Sequence, residues 1–109
     1  MGVTPPLKVS RVGAWRLRKL FNAGRYEQLV QAGTLRAQLL RDGHPAAPLA
    51  NEPFCTRSQS IAYLDGDGNE IARVHQYLRP DGSIGLSGRP DPKRLLRDGV
   101  LYILRTPRG

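Results

Sequence analysis

Between Arg73 and Arg79 every second residue carries a polar or charged tip: Arg73, His75, Tyr77 and Arg79. An imidazole that titrates near neutrality, a phenol and two guanidinium groups at this spacing form a set suited to phosphate chemistry. Guanidinium groups meet phosphate oxygens, and rings stack on unpaired bases. The set also admits a sharper reading, metal-independent cleavage of RNA. His75 would then act as general acid or base and Tyr77 would position or donate a proton, while Arg73, Arg79 or Lys93 held the phosphorane charge. Outward residues of a half-buried sheet show the same spacing with no ligand at all. The motif alone does not choose among binding, cleavage and plain solvation.

The element that must position these groups is Glu70 to Arg79, rich in Ile, Val and Tyr with a period near two, which predicts a strand. Successive side chains on a strand point to opposite faces. Ala72, Val74, Gln76 and Leu78 are expected to face a core. Ile71, Arg73, His75, Tyr77 and Arg79 are expected to face water or a ligand. Tyr63 and Tyr102, from neighbouring strands, would join the second face if the register allows. Pro80-Asp81-Gly82 reads as a turn, and Ser83 to Leu86 as a short returning strand. Asp91 to Gly99 has the signals of a compact helix: Asp91 as cap, Pro92 at the first helical position, Gly99 as stop. Val100 to Arg105 is the last expected strand.

Earlier in the chain, Ser10 to Asn22 reads as a helix, with Val12, Trp15, Leu20 and Phe21 at helical spacing. Trp15 and Phe21 are assigned to the core rather than to a base-stacking platform. Tyr26, Leu29 and Val30 suggest a second helix closed at Gly33, and Thr34 to Gly43 a third. Residues 25–42 could equally form one helix or two. Thr34, Arg36, Gln38 and Arg41 could present polar groups to DNA as a recognition helix, but amphipathic packing explains the same pattern. Met1 to Lys8 reads as an extended arm, and His44 to Thr56 as a connector. Gln59 to Leu64 reads as a strand and Asp65 to Asn69 as a hairpin loop.

The chain has 109 residues, which predicts a single domain, and a formal charge of +8. Eight Lys/Arg fall in residues 1–44 and eight in residues 71–109, flanking a mildly acidic middle. Arg16, Lys19, Lys93 and Arg94 join the strand cations as candidate nucleic-acid contacts. This charge favours a polyanionic partner, with RNA preferred, or an acidic protein. A single cysteine, Cys55, permits no internal disulfide and fits a reducing, cytoplasmic setting. No run is long and apolar enough for a bilayer span, and no membrane partner is expected.

Two histidines 31 residues apart and one cysteine are a poor metal set, so no metal or cofactor is expected. The P-loop, GxSxG and HExxH patterns are missing. Gly85-Leu86-Ser87-Gly88 matches the GxxG of KH domains in letters only.

The expected fold is α+β. N-terminal helices (residues 10–43) pack on a three- to four-stranded, mainly antiparallel sheet (residues 58–105), with a short helix before the last strand. That order is similar to small bacterial toxin ribonucleases of the RelE and barnase kind, a likeness of fold rather than of motif. The segment VHQYLRPDGSIGLSGRPDPK resembles segments of small uncharacterised bacterial or phage proteins. That resemblance implies no activity and no functional residues.

Overall fold

The computed structural model describes residues 8–43, 51–86 and 88–105. In chain order its elements are β1 (Lys8–Val12), α1 (Ala14–Ala23), α2 (Tyr26–Gln31), β2 (Arg36–Gly43), β3 (Arg57–Leu64), β4 (Glu70–Leu78), β5 (Asp91–Arg97) and β6 (Val100–Leu104). The strands form one six-stranded sheet in the order β1-β6-β5-β4-β3-β2. β1 runs parallel to β6, and the other neighbouring pairs are antiparallel.

Turn chemistry sets much of this order. The Asp65 carboxylate accepts hydrogen bonds from the backbone N–H groups of Asp67 and Asn69, each at 2.9 Å, which closes the β3–β4 loop. β5 and β6 are joined by Asp98 and Gly99 alone. Both have positive φ, 52° and 77°, as a tight two-residue hairpin requires. The segment α1–α2 carries the chain across the sheet from edge strand β1 to edge strand β2.

The core lies between the helices and one face of the sheet. Leu17 and Phe21, four residues apart on α1, meet Tyr26, Tyr63, Ala72, Val74 and Leu95. Leu17, Val74 and Leu95 are fully enclosed. The Phe21 ring stacks on Tyr26 at 5.6 Å and tilts against Tyr63 at 6.1 Å. Ala72 and Val74 point into this core, as the alternation on β4 requires.

The architecture corrects the expected fold. The sheet has six strands and is mixed, not three or four mainly antiparallel ones. β1 occupies the start of the expected first helix, which begins only at Ala14. The expected third helix, Thr34 to Gly43, is the strand β2, so Arg36, Gln38 and Arg41 lie on an edge strand rather than a recognition helix. Residues 25–42 hold one six-residue helix followed by that strand. The expected helix from Asp91 to Asp98 is β5, whose ladder to β4 shifts register between Arg73 and Val74. That extra residue breaks the strand alternation that would have betrayed it. The expected strand Ser83 to Leu86 is reduced to a single bridge, Ile84 to Leu78. With strands on both sides of the helices, the order that suggested the toxin ribonucleases no longer holds. Residues 1–7 of the expected arm and 44–50 of the expected connector lie outside the described residues.

Truncating Leu95 to Ala should cost about 2–5 kcal/mol, the range for emptying a packed core site, read as a lowered urea midpoint. Trp15→Ala should change stability by less than about 0.5 kcal/mol, because Trp15 is 73% exposed.

Candidate functional site

β4 sits inside the sheet, hydrogen-bonded to β3 on one side and β5 on the other. Ala72 and Val74 serve the helix-covered core, Ile71 packs against it as well at a register shift rather than facing water as expected, and Arg73, His75 and Tyr77 project from the opposite face. Across that face the register places Arg11, Ile103, Arg94 and Arg73 as successive partners on β1, β6, β5 and β4. His75 and Tyr77 meet edge to face, with ring centroids 4.8 Å apart. His75 Nε2 and Ser58 Oγ of β3 share a hydrogen bond of 2.7 Å.

The β4–β5 ladder ends at the pair His75–Asp91. Beyond it the β5-side edge of β4 is met by the loop, through the Gly85 N–H bonded to the Tyr77 carbonyl at 2.8 Å and the Ile84 bridge. A cleft of about 290 Å³ opens where the strands part, and its lining includes Arg18, His75, Tyr77, Arg89, Asp91 and Lys93. α1 supplies Arg18, β4 the two rings, and β5 with the loop before it the remainder. Arg18 donates to Asp91 Oδ1 at 2.9 Å and Lys93 to Asp91 Oδ2 at 3.2 Å. Arg89 pairs with Glu27 of α2 at 2.7 Å, tying the loop to the helical layer.

Three cations thus line the cleft against one carboxylate. Partial burial acts to raise the Asp91 pKa, but the bonds from Arg18 and Lys93 outweigh it and hold the carboxyl below its ordinary 3.8. His75 moves the other way from most histidines beside acids. Burial, with the Lys93 charge adding to it and only Asp91 opposing, lowers its pKa below 6.5. Both influences favour the neutral imidazole. A neutral base beside cations and a phenol suits an anionic group with a proton to exchange.

The loop that bounds the cleft is anchored by Glu52. Its side chain is only 2% exposed and receives Arg79 Nε at 2.9 Å. The same carboxylate accepts the Leu86 N–H at 2.9 Å. The Arg79 hydrogen bond is the largest influence holding the Glu52 carboxyl below its ordinary 4.5. A Cβ at Gly85 would run into this pinned carboxylate, so the position has room only for glycine.

The expected site residues are brought together only in part. His75, Tyr77 and Lys93 share the cleft. Arg73 is bound to Glu70 at 2.6 Å, beside rather than in the cleft. Arg79 is engaged in the Glu52 anchor, and Arg94 lies across from Arg73 on the open face. Arg16 and Lys19 lie on α1, next to an exposed Trp15. Tyr63 and Tyr102 are on the core side, paired with Ala72 and Leu95, and do not join the polar face. Trp15, expected in the core, is exposed, whereas Phe21 is buried. Arg18, Arg89 and Asp91 are cleft residues the β4 pattern could not reveal, since they come from other elements. Among the described residues no cluster of three or more His, Cys, Asp or Glu could hold a metal ion, and no helix is long and apolar enough to cross a membrane.

No protein-family model matches the chain, and no curated protein or solved structure matches it at the significance required.

Because the folded His75 titrates below 6.5, the unfolded chain binds more protons as the pH drops through that value. His75 therefore contributes stability that is present above pH 6.5 and lost as pH falls toward the folded pKa. An NMR titration should place one imidazole midpoint below 6.5, and His75→Gln should remove that part of the pH dependence of the urea midpoint.

Proposed function

We propose that this protein binds single-stranded nucleic acid, RNA in preference, with a phosphate seated in the cleft. The observation that carries the reading is the meeting of the perpendicular His75–Tyr77 rings with Arg18, Arg89 and Lys93 in one cleft. Cations meet the phosphate, the rings and the open sheet face receive unpaired bases, and the Tyr77 hydroxyl can bond a ribose 2′-hydroxyl. The net charge of +8 supports approach to a polyanion. Arg94 and Arg11 continue the cationic surface across the sheet.

In a mobility-shift series on a single-stranded RNA oligomer, affinity should fall steeply with salt. Arg18→Ala combined with Lys93→Ala should flatten the log–log salt slope by about 0.7 per phosphate contact removed. Binding that ignores salt, or a slope untouched by the double variant, would overturn the reading. Arg79→Ala should act chiefly by loosening the Glu52 anchor, seen as lower stability.

The cleft-lining His75, whose pKa burial lowers, favours a second reading, RNA cleavage with His75 as base toward the 2′-hydroxyl and Tyr77 as proton donor to the leaving oxygen. His75→Gln should then abolish cleavage while binding persists, and the acid limb of the wild-type rate profile should fall below pH 6.5. An RNA left intact by wild-type protein removes this reading and leaves the first in place.

A further inference from the structure

α1 carries three cations and no carboxylate. Its one strongly exposed ring is Trp15, the only tryptophan in the chain, 73% exposed. Lys19 Nζ stands 5.1 Å from the centre of the indole, close enough for a cation–π contact. Beside the ring lies a shallow groove of about 330 Å³, walled by Trp15, Arg16, Lys19, Leu20 and Ala23. Its make-up is a flat aromatic side, an aliphatic floor and two cationic rims. Arg18, which lines the neighbouring cleft, is three residues from Trp15. Side chains at that spacing on a helix are about 5–6 Å apart at Cβ.

From this arrangement we infer that Trp15 and its groove form a stacking site for one unpaired nucleobase of the strand whose phosphate occupies the cleft. The inference rests on the nucleic-acid reading above and deepens it. A base slides against the open indole surface and over Leu20 and Ala23, while Arg16 and Lys19 meet the flanking phosphates. An anionic membrane is the less suited occupant, because one indole and one half-covered leucine offer little apolar area for insertion. A duplex is also unsuited, since its bases are not free to stack on a protein ring.

The single tryptophan makes the test direct. The full chain is titrated with a 12-nucleotide oligoadenylate and with an abasic ribose-phosphate 12-mer, following tryptophan emission and affinity. Oligoadenylate should quench emission strongly and the abasic strand should not. Trp15→Ala should weaken oligoadenylate about 5- to 150-fold, the factor equivalent to the 1–3 kcal/mol that one stacked base is worth. It should leave abasic-strand affinity unchanged, and Trp15→Phe should recover most of the loss. If both strands bind with Arg18- and Lys93-dependent affinity but Trp15→Ala binds oligoadenylate as wild type does, the stacking site is refuted and the cleft reading survives. If neither strand binds, the nucleic-acid reading falls and the stacking site falls with it. A blue shift on phosphatidylserine vesicles without quenching by oligoadenylate would assign the groove to a lipid surface and overturn the inference.

Discussion

Everything described for this molecule depends on the alternation along one inner strand. Because β4 is flanked by neighbours on both sides, its backbone cannot rotate to suit individual side chains. Ala72 and Val74 are committed to the core, and that commitment forces Arg73, His75 and Tyr77 onto the other face. A slip of one residue would exchange the two sets and cost both the packing and the cleft. The polar row is therefore tied to hydrophobic burial: the small inward residues, which let the helices approach, are what aim the imidazole and the phenol outward.

Charge in this protein is mostly local. Arg18, Arg57, Arg73, Arg79 and Arg89 each have a carboxylate within 3 Å. Exposed pairs of this kind add little stability. Arg79 differs, because its partner Glu52 is enclosed and also caps a backbone N–H of the loop. A buried carboxylate left without its cation is far more costly than an exposed one. The Glu52 contact thus holds the turn after β4 to the segment before β3, and with them the wall of the cleft.

The strands legible in the sequence are those whose residues are β-branched or aromatic and alternate over most of their length, although the β3–β4 ladder shifts register between Tyr63 and Leu64. β4, most of β3 and β6 could be read directly, together with the Asp65 to Asn69 turn. β2 and β5 could not. Each contains a register irregularity, between Leu39 and Arg41 and between Arg73 and its β5 partners. Each also places two leucines side by side, which imitates a helical stripe. Asp98-Gly99 reads equally as a helix stop and as a hairpin turn, and only pairing with β6 decides between them. Trp15 departs from its expected core position because Val12, three residues before it, lies outside the helix. Val12 belongs to β1, and the true buried stripe is Leu17 with Phe21. As for the cleft, its two rings were visible as a strand motif. Its cations from α1 and the loop depended on how distant elements come together, which no local pattern records.

The register pairs Lys8 with Val100, so one rim of the sheet is made from segments at opposite ends of the described chain. Closing so long a loop is entropically unfavourable until most of the intervening structure exists. During synthesis the segment Lys8–Val12 leaves the ribosome early and then waits, unpaired, until the hairpin of β5 and β6 has emerged. In that interval its backbone donors and acceptors are open to any other extended chain, a hazard that ends only when the strand docks.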